Sequence, residues 1–259
     1  MATLVFFHAH PDDECIATGG CMAKAARDGH RVVLVTAKRG EHGEVVEGVL
    51  EPGEQLWERR VVETAESARI LGVSRHEFLG YVDSGMMGTP ENDARGSFWS
   101  ADIDEAAAKL AAILQDEDAD VLTVYDSNGN YGHPDHIQVH RVGVRAAEMA
   151  GTPNVFEATM NRTDIQRQIR EAAANGAEVP GDVDPEDMTI GVSEDVLTTR
   201  VDVREFANLK REAMVAHASQ IPPTSWFLSM PIDAFTNAFG TEWFIHRGAP
   251  SGIHEDSIV

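Results

Sequence analysis

Residues 8–14 read His-Ala-His-Pro-Asp-Asp-Glu and follow the apolar run Thr-Leu-Val-Phe-Phe. Two histidines and three carboxylates therefore gather where a buried strand should end. An unpaired charge at the edge of a core is costly, or loses its charge through a shifted pKa. Such a cluster needs a partner, and a cation is the natural one. A second cluster, Tyr-Gly-His-Pro-Asp-His-Ile-Gln-Val-His at 131–140, lies just past another apolar run at 120–125. Imidazole nitrogen and carboxylate oxygen together bind zinc, with three protein ligands and one open position where the metal is catalytic. The same mixed set also suits Fe²⁺. Either cluster alone is a weak signal; the pair, at corresponding strand ends, is a strong one.

Other uses of these residues fit less well. One carboxylate could cap the helix that follows, but three with histidine exceed what a cap needs. His8-x-His10 starts like the HxHxDH signature of metallo-β-lactamases, yet Asp13 stands where that signature needs histidine. A dinucleotide site would need Gly-x-Gly-x-x-Gly in the first strand-helix turn, and only Gly19-Gly20 occur there, one turn into the helix.

The elements that must position these clusters alternate. Strands are predicted at 3–7, 31–37, 77–80, 120–125 and 155–159, and helices at 14–28, 55–71, 103–115 and 134–150. Gly29 and Gly72 are C-cap candidates. This alternation predicts an α/β fold of Rossmann-like type: a mostly parallel sheet with helices on both faces. Functional loops in such sheets lie beyond the C-terminal strand ends, where both clusters fall. Residues 38–53 and 175–195 read as loops and 204–219 as a helix. An aromatic-rich tail (Trp226, Phe227, Phe235, Phe239, Trp243, Phe244) is expected to pack on the first part. The whole chain, 1–259, reads as one domain, with an α/β core to residue 160 and a C-terminal extension from 161.

The net charge of −22, from 21 basic and 43 acidic residues, repels phosphates and argues against nucleic-acid or anionic-membrane partners. No stretch approaches the roughly 18 apolar residues of a membrane span, and no basic, cleavable leader precedes the first strand. Two cysteines, Cys15 and Cys21, are no disulfide framework, so a reducing cytoplasm is the expected compartment. Both read as small core residues.

The two clusters resemble the AHPDDE and HPDH motifs of the LmbE-like (PIG-L) family of zinc-dependent N-deacetylases, matched in full at 9–14 and 133–136. Arg-Val-Val-Glu at 60–63, Gly-Tyr-Val-Asp-Ser-Gly-Met at 80–86 and Ala-His-Ala-Ser-Gln at 216–220 resemble further segments of it. The likeness is greatest to the branch that acts on mycothiol intermediates and conjugates. It implies zinc (or Fe²⁺) on His10, Asp13 and His136, with Asp12 as general base and His133 as general acid. By the same resemblance Tyr131 polarises the scissile carbonyl, Asp135 orients His133, and Arg60 and Asp83 bind substrate. Asp135 is also expected to raise the His133 pKa and hold its charge. The implied reaction is hydrolysis of an N-acyl group, such as acetate, from a small-molecule amino sugar: N-acetylglucosaminyl inositol, a mycothiol conjugate, or a secondary metabolite. A non-catalytic metal- or sugar-binding module on the same fold is the reading from another class; loss of Asp12 or His133 would have marked it. From spacing alone Arg60 could equally be a solvated partner of Glu63. His8 is expected beside the site, and His140, one turn from His136, is expected to pack or to support a ligand.

Overall fold

The computed structural model describes residues 1–174 and 185–259. The first half alternates β1 (Thr3–His8), α1 (Asp13–Ala17), α2 (Gly19–Arg27), β2 (Arg31–Lys38), α3 (Leu56–Ile70), β3 (Arg75–Tyr81), α4 (Ile103–Asp116) and β4 (Val121–Tyr125). A short kinked turn, α5 (Gly129–Gly132), leads into α6 (Pro134–Ala150), β5 (Asn154–Thr159) and α7 (Arg162–Ala174). Then follow β6 (Thr199–Asp202), α8 (Ala207–Ala216), α9 (Trp226–Ser229), α10 (Ile232–Phe239) and β7 (Thr241–His246).

Seven strands form one sheet in the order β3-β2-β1-β4-β5-β7-β6. The first five run parallel, and β7 and β6 add antiparallel. The apolar run of β1 is continuous because both its faces are covered. Leu4 and Phe6 pack with Met22 and Ala68 on one side, while Val5 and Phe7 pack with Leu110, Val139 and Val142 on the other. The chain leaves β1 toward β2 on one side and later returns to β4 on the other. Strand order therefore reverses between β1 and β4, and the loops after these two strands flank the crevice that this topology opens.

The predicted α/β sheet is present, with differences that have physical causes. The helix expected over 14–28 breaks at Thr18 (φ −137°), whose hydroxyl lies 2.8 Å from His8 Nε2. The helix expected over 204–219 is a 3₁₀ turn, Arg204–Phe206, followed by α8. α7 was not anticipated. Nor were the strands in the last third: Trp243 and Phe244 lie in β7, inserted between β5 and β6. Of the tail aromatics, Phe235 and Phe244 are buried and Trp226 is exposed. Of the loop expected over 175–195, residues 175–184 lie outside the described residues, and Pro185–Asp187 forms a 3₁₀ turn. Among the described residues no helix is long and apolar enough to cross a membrane.

Helix α6, which carries His136, lies close on the sheet at Gly143. A Cβ there would meet Val124 Cγ1 at 2.3 Å and Phe7 Cδ1 at 3.4 Å. On an exposed helix face Gly→Ala would stabilise by roughly 1 kcal/mol. At this contact Gly143→Ala is expected instead to destabilise by about 1–3 kcal/mol, as overpacking does. Urea denaturation checks this; an unchanged or higher midpoint would contradict the packing described.

Candidate active site

The turn after β1 and the start of α1 bring His10, Asp12 and Asp13 to the crevice, and the segment after β4, through α5 into the start of α6, brings Tyr131, His133 and His136. Three of their atoms converge. His10 Nδ1 lies 3.0 Å from Asp13 Oδ2, His136 Nε2 lies 3.3 Å from the same oxygen, and the two nitrogens are 3.2 Å apart. Metal–ligand bonds of about 2.0–2.2 Å at tetrahedral angles separate ligand atoms by about 3.3–3.6 Å. The triangle is slightly tighter than one face of such a tetrahedron, and its donor set suits zinc or another borderline divalent cation. His10 Nε2, on the far side of the ring, lies 3.6 Å from Asp135 Oδ2, the carboxylate support that ligating histidines usually have. His136 stacks on Tyr125 with ring centroids 4.3 Å apart.

Among the described residues, two other groupings share His10: one with His133 and His136, the other with Asp83 and Asp135, each having its ligand atoms within 4.8 Å of one another. A third, of Glu14, Cys15 and His217, already has its donor atoms hydrogen-bonded. Glu14 Oε1 lies 2.6 Å from His217 Nε2, and the Cys15 thiol donates to the Asp12 carbonyl.

The two adjacent aspartates sit in different fields. Asp13 lies against two imidazoles; burial opposes its ionisation, but His136 and His10 outweigh it and hold the carboxyl well below the usual range. Asp12 has a left-handed backbone, φ +94°, and its Oδ2 lies 3.2 Å from Arg60 Nη2. Burial pushes the Asp12 carboxyl up to about 6, with Arg60 opposing and Asp13 reinforcing.

Helix capping sets the state of His133. It is the N-cap of α6, Pro134 occupies the first helical position, and the Asp135 backbone N–H donates to His133 Nδ1 at 3.1 Å. Because an N–H can only donate, Nδ1 must be bare and the neutral ring carries its proton on Nε2. Burial and then His10 and His136 lower the His133 pKa to about 3, outweighing Asp135. Asp135 raises this pKa, as expected, but too weakly to keep the ring charged. Its carboxylate faces elsewhere, accepting from Lys38 Nζ and from the Ser84 backbone N–H at 3.2 Å.

Lys38, at the end of β2, is the site residue that sequence reasoning passed over. It is fully buried and bridges Asp135 and Asp83, the latter at 2.7 Å. Asp83 also accepts from the Gly85 N–H at 2.9 Å. The available signal was positional: a lysine at the C-terminal end of an apolar parallel strand lies at the functional edge. Arg60, for which the resemblance implies substrate contact, is enclosed. It is 3 % exposed, and its guanidinium donates to the Pro11 carbonyl at 2.6 Å, the Gly40 carbonyl at 3.1 Å and Asp12. Gly40 must be glycine for this contact: its φ is +69°, and a Cβ would fall 2.2 Å from Arg60 Nη1.

Tyr131 is 47 % exposed, with its ring centroid 5.1 Å from that of His136 and 6.0 Å from that of His133. The loop that presents it is held by Asp126 Oδ1, which accepts the N–H groups of Asn128 and Asn130 at 2.9 and 3.0 Å. His8 has both ring nitrogens engaged, with Tyr125 and Thr18. His140 Nδ1 reaches the Tyr125 carbonyl at 3.0 Å, a packing contact outside the triangle.

The family model described as PIG-L, GlcNAc-PI de-N-acetylase, matches residues 5–147, which span both clusters. The chain belongs to the PIG-L family. A relative from Acidothermus cellulolyticus, named 1D-myo-inositol 2-acetamido-2-deoxy-alpha-D-glucopyranoside deacetylase, is 40% identical over 95% of this chain and 88% of its own length. A relative of the same name, numbered 1, from Catenulispora acidiphila is 38% identical over 98% of this chain and 87% of its own. Among solved structures, the N,N'-diacetylchitobiose deacetylase of Pyrococcus horikoshii shares the fold, with TM-score 0.62 at 22% identity over 94% of this chain and 83% of that one. This PIG-L chain is a hydrolytic N-deacetylase.

The buried Lys38 cluster yields a pH-dependent prediction. Burial would raise the Asp83 and Asp135 pKa values, but ion pairing and hydrogen bonding lower them from the ordinary 3.8; Lys38 and His10 act on both, His10 foremost at Asp135. Carboxylates depressed in the folded state contribute stability above the unfolded value and lose it as pH falls below about 3.8. Lys38→Met strands two buried carboxylates, so the metal-free variant is expected to lose about 3–5 kcal/mol at pH 7. The gap from wild type should narrow as pH is lowered toward 3. Denaturant titrations at both pH values check this; a gap that is absent at pH 7, or does not narrow, contradicts it.

Proposed function

We propose that the chain hydrolyses the N-acetyl group of a glucosamine whose anomeric position carries inositol or a similar polar aglycone, acting as one metal-dependent domain in the cytoplasm. The observation that carries this reading is the separation of two neighbouring carboxylates. Asp13 belongs to the His10–His136 triangle, and Asp12 is held apart by Arg60 with a proton affinity suited to a base. The names of relatives about 40% identical over nearly the whole chain support the substrate class. Two free, buried cysteines accord with a reducing compartment.

In this reading His10, Asp13 and His136 hold one divalent cation, zinc or Fe²⁺. When bound, it supplies Lewis acidity toward the amide carbonyl and toward water. Asp12 accepts the proton of the attacking water. Tyr131 and the Nε2–H of His133 donate hydrogen bonds to the oxygen on which charge develops. His133 cannot become an imidazolium without losing the Asp135 N–H bond that caps α6. We therefore assign the proton delivered to the departing amine to Asp12, and make His133 a neutral donor rather than the general acid first expected. Asp135 supports His10 and is itself held by Lys38. Arg60 acts through Asp12 and Pro11, and Asp83 keeps the assignment to substrate hydroxyls.

Acetate release from N-acetylglucosaminyl inositol, N-acetylglucosamine and acetamide tests the substrate class. The conjugate should be turned over with the highest kcat/KM, because aglycone contacts orient the amide; equal turnover of all three would contradict it. His133→Ala should lower kcat by roughly 10²–10³ yet keep both limbs of the kcat/KM pH profile. Disappearance of the basic limb would instead restore His133 as the general acid.

A further inference from the structure

Asp12 has a backbone that a residue with a side chain rarely adopts, φ +94° and ψ −31°. Such a conformation persists only where its surroundings over-determine it. Its N–H donates to Glu14 Oε2 at 2.8 Å, a bond that reaches forward two residues. The other oxygen of Glu14 accepts from Ser67 Oγ at 2.5 Å and from His217 Nε2 at 2.6 Å. Glu14, Ser67 and His217 are all fully buried. His217 ends α8, 203 residues from Glu14 in the chain, and its Nδ1 is buried with no partner. The Glu14 carboxylate is thus the only hydrogen-bond partner of this imidazole among the described residues. Two residues on, the Ser219 N–H and hydroxyl donate to Glu63 at 2.9 and 2.6 Å, so the segment after α8 is tied to α3 as well.

We propose that Glu14 and His217 are positioning residues that hold the Asp12 backbone in its left-handed turn, so that the segment after α8 sets where the base carboxylate sits. The inference rests on the reading of Asp12 as the base. A carboxylate bonded at one oxygen only can swing; bonded at both, it fixes the N–H it accepts. His217 supplies the strongest tether, because its donor is charge-assisted and enclosed. Removing it frees Glu14 to rotate and lets Asp12 relax toward ordinary backbone angles. The triangle of His10, Asp13 and His136 contains neither residue, so metal binding survives. Chemistry suffers, and ground-state binding does not.

The test uses the full chain loaded with one equivalent of Zn²⁺, comparing His217→Leu, His217→Gln, Ser67→Ala and Asp12→Ala with wild type. His217→Leu should lower kcat roughly 10–100-fold, the usual effect of losing a supporting partner of a site. Its KM should stay within about 3-fold, and its zinc content near one per chain. His217→Gln, whose amide can still donate to Glu14, should recover most of the loss. In the metal-free protein, hydrogen exchange at the Asp12 amide should speed up in His217→Leu and Ser67→Ala and stay slow in His217→Gln. If His217→Leu fails to fold, Ser67→Ala decides: faster Asp12 exchange with a kcat loss supports the clamp. Wild-type kcat and exchange in the folded variants overturn it, as does a kcat loss explained wholly by lost zinc. Should Asp12→Ala turn over like wild type, the general-base reading fails instead, while the exchange data still show whether the clamp holds the backbone.

Discussion

Two imidazole nitrogens and a carboxylate oxygen face one another within 3.3 Å at the switch point of the sheet. Without a cation, protons on the imidazoles must bridge these atoms; a divalent cation would take the place of those protons, and the surrounding structure serves to keep the three atoms in place. The reversal of strand order between β1 and β4 brings the two loops to one crevice. Arg60 binds the Pro11 carbonyl from below, and Asp126 cages the loop that carries Tyr131. Buried charges elsewhere in the site are paired: Lys38 with Asp83 and Asp135, Glu14 with His217.

The same geometry makes chemically distinct groups from identical residue types. Asp12 and Asp13 are adjacent, yet one lies against an arginine and the other against two imidazoles. Their proton affinities separate accordingly, as neighbouring carboxylates in different environments do. His133 and His136 are three residues apart on one helix start. His136 faces the triangle, whereas His133 caps the helix, and the cap fixes its tautomer. One hydrogen bond thus begins a helix and prepares a donor.

Much of this was legible in the sequence because it is local. Apolar runs followed by charged loops marked the parallel strands, and the types and spacing of residues 8–14 and 131–140 marked both halves of the site. What escaped is long-range. Lys38 and Asp135 are 97 residues apart, and nothing in Arg-Val-Val-Leu-Val-Thr-Ala-Lys tells whether its lysine turns inward to a carboxylate or outward to water. Arg60 read as an exposed helix arginine or a substrate contact, while the structure buries it under the first loop. Asp135 raises the His133 pKa as the sequence suggests, but burial and the His10 and His136 rings, which only the fold brings together, outweigh it. Strand β7 was hidden in an aromatic tail whose pairing partner, β5, lies more than 80 residues earlier, and β6 pairs only with β7.

The central claim is that Asp13 belongs to the cation site and Asp12 does not. Metal content of purified, zinc-reconstituted Asp12→Ala and Asp13→Ala measures this most directly. We expect Asp12→Ala to retain about one zinc per chain, and Asp13→Ala to lose most of it, because two imidazoles alone bind it poorly. Zinc lost from Asp12→Ala and kept by Asp13→Ala would reverse the assignment and contradict the account.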